Sequence, residues 1–526
     1  MVTGGSVVTG GRVAVRAREI VELVRRPEVA LTVVRTEVGC APGVVAGGDP
    51  GGGVEVLGVL PALYPERLGD PTFGATHGVR FPYVAGEMAN GISTTRMVSA
   101  MARGRMLGFF GAAGLGVGEV EGAVAELVGE LGATGSWGVN LIHNPAEPGA
   151  EDRVVDLLRR FGVGKVSASA FMDLTPAVVR CVVAGLSAGA DGRVRRGVHL
   201  FAKVSRVEVA AKFMAPAPVE MLRLLVGRGQ ITETQARLAT GIPLATDVTV
   251  EADSGGHTDN RPMTVVLPAV LALRDELTRR YGYRERVRVG AAGGLGDPSG
   301  VAAAFACGAD YVLTGTVNQR AVEAGLSDAA KELLAQADLA DVGMAPAADM
   351  FEYGVKVQVL RRGTMFGARA AILYEAYSTY AGLDRIPGPL RARIERDILR
   401  AGFDEAWAQT RTFWAHRDPD QVTRAETDPK HLMALVFRSY LGRSSKWAIT
   451  GDPDRRADYQ IWCGPAIGAF NRWIADTPLA EPAQCTVVQI GRNLLAGAAV
   501  VARAQQLRSF GVPVPRSDVY VPRLLS

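Results

Sequence analysis

Between residues 82 and 330 the chain passes through eight short apolar stretches, each followed by an amphipathic segment, and this alternation constrains the fold more than any other feature. The stretches are YVAGEM (83–88), MLGFFG (106–111), WGVNLI (137–142), KVSASA (165–170), HLFAKV (199–204), LATDVTVE (244–251), VRVGAA (287–292) and YVLTGT (311–316). Strands separated by helices require a parallel sheet with crossovers, and eight strands are the number that closes a (β/α)8 TIM barrel. The intervening segments agree. Val120, Val124, Leu127 and Leu131 recur at three and four residues, as one buried helical face requires. Asp297 followed by Pro298 reads as an N-cap with proline at the first helical position, and Gly308 as the end of that helix.

The α/β barrel is expected over residues 76–330. The stretch 206–243 exceeds one crossover helix and contains APAP, which predicts a helical insertion between the fifth and sixth strands, placed to form a lid. Residues 1–75, rich in Gly, Val and Pro with a turn at GGDPGGG (47–53), read as a small β-leaning N-terminal appendage. Residues 331–526 read as a mainly helical C-terminal region packed beside the barrel.

Composition narrows the function. Hydrophobic residues at 48% and charged residues at 21% match a soluble globular protein. A net charge of +4 from 58 basic and 54 acidic residues, mixed along the chain, gives no sign of a nucleic-acid partner and leaves a mildly basic face for an acidic one. Cys40, Cys181, Cys307, Cys463 and Cys485 lie far apart without CxxC spacing, so no metal site is expected and a reducing cytosol fits best. The N-terminus lacks the apolar core of a signal peptide and no later stretch is long and apolar enough to span a bilayer, so the expected location is cytoplasmic with no membrane association.

Barrel chemistry gathers at the C-terminal ends of strands, with phosphate commonly in the loops after the seventh and eighth. The seventh strand runs into Gly293 and Gly294 ahead of the Asp297-Pro298 helix start, and the eighth into Gly315 and Thr316; glycines there let backbone N–H groups approach an anion, although ordinary barrel turns also use glycine. The sixth strand ends in EADSGGHTDNRP, where Gly255 and Gly256 expose backbone and set His257 at the mouth, with a reference pKa near 6.5 suited to proton transfer; a histidine that only bonds a turn is the plainer alternative. Ala89, Asn90 and Gly91 after the first strand and Asn140 in the third supply small residues and carboxamides that suit a flat heteroaromatic ring, or merely form turns. Lys203, near the end of the fifth strand, is a candidate to neutralise a reduced cofactor or an enolate, or a solvated rim lysine. In the block from Met350 to Phe366, Met350, Val355, Val359, Met365 and Phe366 read as core or as the wall of an acyl channel. Arg361, Arg362, Arg438 and Arg443 are candidates to meet a phosphate or an acidic partner.

Taken together, GEMANGIS, WGVNLI, EADSGGHTDNRP, AAGGLGDP and GADYVLTGT resemble the flavin-dependent barrel superfamily of nitronate monooxygenases and a flavin-type bacterial enoyl-acyl-carrier-protein reductase. More specifically, the chain resembles the PfaD family, trans-acting enoyl reductases of polyunsaturated fatty acid and polyketide synthases. PALYPERLGDPTF, MAPAADMFEYGVKVQVLRRGTMFGARA, DPKHLMALVFRSYLG and DYQIWCGPAIGAFNRW extend the resemblance from about residue 60 to about 510. It implies an FMN with its phosphate at Gly293, Gly294, Gly315 and Thr316, its ring near Ala89, Asn90, Gly91 and Asn140, Gly255 and Gly256 beside it, and His257 in the place of the superfamily's active-site histidine, with Lys203 the second catalytic candidate by its position alone. It also implies NADPH as cosubstrate, acyl carrier protein domains as partners, and room for a homodimer. The rival expectations are a nitronate monooxygenase-like flavin oxidase and a non-catalytic assembly partner of a synthase.

Overall fold

A computed structural model describes residues 12–35, 41–47, 50, 54–144, 147, 149–257, 259–515 and 520–525. Cys40 and most of the turn expected at 47–53 lie outside the described residues. Eight parallel strands form a closed barrel in chain order: β1 (Tyr83–Ala85), β2 (Leu107–Phe110), β3 (Trp137–Ile142), β4 (Lys165–Ser169), β5 (His199–Val204), β6 (Asp247–Glu251), β7 (Arg288–Ala292) and β8 (Val312–Thr314). Each alternates with helices whose apolar faces join one continuous core around the barrel. The lumen is filled separately, by Val84, Phe109, Phe201, Tyr311 and Leu313, with Phe73 of the short helix Pro71–His77 stacked on Tyr311 at 4.6 Å between centroids. That helix plugs the N-terminal end of the barrel.

The insertion after β5 contributes three helices, Val207–Met214, Val219–Gly227 and Glu233–Ala239. The last two pack on the crossover helix Pro176–Val183 at the barrel's flank, where Leu222, Leu225 and Ala239 are buried, so they form no lid over the mouth. The mouth is met instead by the chain between residues 342 and 465. This region is mainly helical, as expected, but it opens with an antiparallel hairpin, Val342–Pro346 against Lys356–Leu360. The long helix Val487–Ser509 then returns to the barrel and packs against helices Pro298–Ala306 and Thr95–Arg103 and against β1, the place of an eighth crossover helix. Gly491 permits the approach, since a Cβ there would lie 2.8 Å from the Tyr83 ring. The N-terminal residues form a three-stranded antiparallel sheet, Gly43–Ala46, Leu31–Arg35 and Glu55–Leu60, whose core is shared with Val500, Ala504 and Leu507 of that last helix. Among the described residues no helix is long and apolar enough to cross a membrane.

At the plugged end the first residues of three adjacent strands form a buried polar cluster. Asp247 accepts from Arg288 at 2.6 and 3.0 Å and lies 3.1 Å from His77 Nε2. Burial alone would raise the Asp247 pKa, yet the neighbouring His77 and Arg288 hold it well below the usual carboxylate range. Burial outweighs Asp247 at His77, lowering it, and pushes His199 down to about 3 with help from the charge of His77. The sign follows. An unfolded histidine takes up a proton below about pH 6.5 while native His199 stays neutral to about pH 3, so stability is complete above 6.5 and is lost as the pH falls through that window. At pH 5 His199 alone is expected to cost about 2 kcal/mol, read as a lower urea midpoint than at pH 7.5. His199→Gln is expected to reduce that pH difference, and equal midpoints at the two pH values in the wild type would contradict it.

Candidate active site

The loops at the C-terminal ends of the strands bring most of the expected residues to one mouth. After β7, Gly293 has φ +88° and sits so close to the Ala252 backbone that a Cβ would lie 2.7 Å from it. Gly294 has φ +72° and faces open space. Asp297 caps the next helix by accepting from Gly300 N at 2.9 Å, with Pro298 at its first position, as read from the sequence. After β8, Gly315 starts the short 3-10 helix Thr316–Arg320, and the nearest atom to a Cβ at Gly315 is Met88 Cγ at 3.9 Å. Among the described residues, the main-chain N–H groups of Gly294, Gly315 and Thr316 have no acceptor. Unpaired donors on two adjacent loops, with open space beside Gly294 and Gly315, fit a phosphate group.

The loop after β6 is held from several sides. Arg206 grips the Asp259 carboxylate at 2.7 and 2.9 Å, and Ser205 adds a third bond, tying the loop to the end of β5. Gly255 packs on the Cys463 backbone, where a Cβ would come within 2.8 Å, and Gly256, at φ +89°, bridges to Gln358 of the hairpin. This delivers His257 Nε2 to Asp349 Oδ1 at 3.1 Å, with the two side chains 34% and 48% exposed. Burial works against the charged imidazole, but the hydrogen bond and charge of Asp349 prevail and raise the His257 pKa above its ordinary value. Asp349 is correspondingly lowered, because the His257 contact outweighs its own burial. Asp349 was absent from the sequence candidates, although it lies in the MAPAADM stretch that carries part of the family resemblance.

Three charges meet in the upper lumen. Lys203 Nζ lies 3.4 Å from Glu87 Oε1 and 3.2 Å from Glu251 Oε1, and Ser167 donates to Glu87 Oε1 at 2.8 Å. Burial would lower the lysine, but Glu251 and Glu87 raise it, so the ammonium is held charged. Lys203 is thus neither a solvated rim residue nor a lone cation; it is fixed between two carboxylates that sequence reading passed over. Asn140 commits its amide hydrogens to β4, donating to Ser167 O at 3.1 Å and Ser169 Oγ at 2.8 Å. Asn90 and Gly91 take left-handed conformations, φ 56° and 69°, and donate their backbone N–H groups to Ala113 and Gly111, which seats the loop beginning at Ala89 on the loop after β2.

The C-terminal region stitches itself across this face. Gly464 N donates to Thr316 Oγ1 at 3.2 Å, Gln319 donates to Trp462 O at 2.6 Å, and Arg417 pairs with Glu147 at 2.5 Å. Arg362 pairs with Asp341, Arg438 with Glu352, and Arg443 bonds Gln409 while lying over Trp447, so three of the four candidate arginines are engaged within the chain. Val359 and Phe366 are core, whereas Met365 is 53% exposed.

Residues 380–459 match the family described as the inserted helical domain of [acyl-carrier-protein] S-malonyltransferase. A polyunsaturated fatty acid synthase polypeptide of a Thraustochytrium species is 46% identical over 84% of this chain and 30% of its own length. The polyketide biosynthesis protein PksE of Bacillus subtilis is 41% identical over 88% of this chain and 60% of its own length, so the chain spans only part of these curated relatives. The crystal structure of the enoyl reductase domain of MlnA, from the macrolactin biosynthesis cluster of Bacillus amyloliquefaciens, superposes with a TM-score of 0.81 at 35% identity, covering 84% of this chain and 99% of that domain. With a match of that extent over the barrel and the region that meets its mouth, the chain belongs to the PfaD family, the family of the MlnA enoyl reductase domain.

Proposed function

We propose that the protein reduces α,β-unsaturated acyl thioesters borne on acyl carrier protein, as a trans-acting, FMN-dependent enoyl reductase that draws on NADPH in polyketide or polyunsaturated fatty acid biosynthesis. The observation that carries this reading is the meeting, at one barrel mouth, of two loops of unpaired N–H groups with the His257–Asp349 pair. FMN bound there would supply hydride chemistry, accepting from a nicotinamide and donating to an electron-poor carbon. The chain's own residues supply the rest. Gly293, Gly294, Gly315 and Thr316 hold the phosphate, and the loop from Ala89 to Gly91 with Asn140 borders the ring. His257 supplies a proton to the α-carbon side of the thioester, or stabilises charge on its oxygen. Asp349 favours the protonated imidazole, which suits a proton donor better than the base that a nitronate monooxygenase-like oxidase would use. On this reading the protein works in the cytoplasm beside a synthase.

The carrier-protein requirement rests on residues 342–465, which border the mouth and include the segment matching a malonyltransferase helical domain. Crotonyl thioesters presented on a cognate carrier protein are expected to give kcat/KM about tenfold or more above the same acyl group on pantetheine, with the advantage shrinking as salt is raised. Equal, salt-independent efficiency for the two would remove carrier recognition from the assignment.

A further inference from the structure

The hairpin that meets the barrel mouth turns an exposed surface outward beside His257. Residues two apart on a strand, and residues directly opposite across a hairpin, share a face. Met344 pairs with Gln358 and Pro346 with Lys356, so all four stand on one side. Gln358 identifies that side as the one turned to the mouth, since it donates to Asp253 in the loop after β6 at 3.2 Å. Met344 touches the same loop, 3.4 Å from Asn260 Nδ2, yet stays 42% exposed, and Lys356 is exposed on the same face. Arg261, next in the chain after Asn260, is exposed as well. The loop joining the two strands carries Asp349, the partner of His257, and Tyr353, which is 85% exposed.

The charge of this surface is unbalanced. Residues 257–261 and 341–361 hold four carboxylates, and each is already met: Asp259 by Arg206, Asp341 by Arg362, Asp349 by His257 and Glu352 by Arg438. Arg261, Lys356 and Arg361 form no ion pair among the described residues, so three cations are left over. An exposed methionine and tyrosine flanked by uncompensated cations suit a partner whose surface is acidic with apolar contacts between its charges. The reading above, on which this inference rests, supplies one. An acyl carrier protein is a small acidic helical domain that must bring its thioester to His257, and this surface adjoins that histidine.

We propose that the mouth-facing side of the hairpin, with the Asn260-Arg261 edge of the β6 loop, is the landing surface for the acidic face of the acyl carrier protein. Met344 and Tyr353 make the apolar contact, and Lys356, Arg261 and Arg361 supply the charge complement.

Full-length wild type and the charge reversals Lys356→Glu and Arg261→Glu are compared on crotonyl groups borne by pantetheine, by phosphopantetheine and by the cognate carrier protein, alongside calorimetric binding of that carrier protein. Each reversal is expected to weaken carrier binding and to lower kcat/KM for the carrier substrate by about tenfold, through KM rather than kcat, and to flatten its salt dependence. Both small thioesters are expected to keep their wild-type rates, and Lys356→Arg, which retains the charge, to behave as wild type. Carrier protein that wild type does not bind, or binds no better than the two reversals do, overturns the proposal. So does an equal loss on pantetheine, which would be damage to the mouth itself, and so does a loss shared with phosphopantetheine alone, which would assign the cations to the phosphate of the arm. Wild type that binds carrier protein, loses it in the reversals and reduces none of the three thioesters upholds this surface and overturns the reductase reading.

Discussion

His257→Ala is expected to leave FMN bound and its reduction by NADPH near the wild-type rate, while enoyl reduction slows by about 10²- to 10⁴-fold, the usual cost of removing a general acid. The separation follows from position and chemistry. The imidazole stands on the Gly255-Gly256 turn at the end of β6, tied to Asp349. Hydride transfer from a nicotinamide needs no protein acid, whereas the enoyl half-reaction ends with a proton delivered to carbon. Asp349→Asn sharpens the test. With the carboxylate present, the raised pKa keeps His257 protonated to higher pH, so the enoyl rate falls only as pH climbs through that value; without it, the fall is expected at lower pH. Stopped-flow measurement of the two half-reactions separates these effects, and unchanged rates in both would reduce His257 to a loop residue.

A second large effect is expected at Gly315. Its φ of −122° is open to any residue, and a side chain there would extend toward the space beside Met88, so Gly315→Trp fills the phosphate position without backbone strain. Gly294, at φ +72°, would add strain to occlusion and makes a less specific test. Losing even two hydrogen bonds to a charged phosphate, at about 1.5 kcal/mol each, weakens binding by about 100-fold. The variant is expected to purify without flavin while keeping the wild-type far-ultraviolet circular dichroism. Full flavin occupancy would move the phosphate elsewhere.

Much of the barrel was legible because its signals are local. The third and fifth strands span 137–142 and 199–204, as the apolar runs indicate. Others are shorter than their runs where tertiary bonds intervene. In 244–251 the N–H groups of Leu244 and Ala245 turn to the carbonyls of Ala215 and Phe213, and the strand begins only at Asp247. In 311–316 the chain leaves the sheet at Gly315 to start a helix. The lid expected from the insertion failed because length and proline content reveal extra helices but not the face they cover, and Leu222 and Leu225 found apolar partners on the flank. The same limit hid the charge partners. Lys203 and Glu251 belong to two strands and Glu87 to the loop after a third, far apart in sequence, and they become neighbours only when the barrel closes. Asp349 lies 92 residues beyond His257 and reaches it through a hairpin inside a segment that reads as mainly helical. The glycine loops and the GGH turn were readable because each depends on backbone geometry set within a few residues.

An anaerobic titration of the purified protein, followed in the visible spectrum, bears most directly on the assignment as an enoyl reductase. Oxidised flavin absorbs near about 450 nm, and NADPH is expected to bleach that band. Crotonyl thioester on carrier protein is then expected to restore it in the absence of oxygen, with one butyryl product formed per flavin reoxidised. A protein that carries no flavin, or whose flavin resists NADPH and is bleached instead by a nitroalkane, would contradict the account.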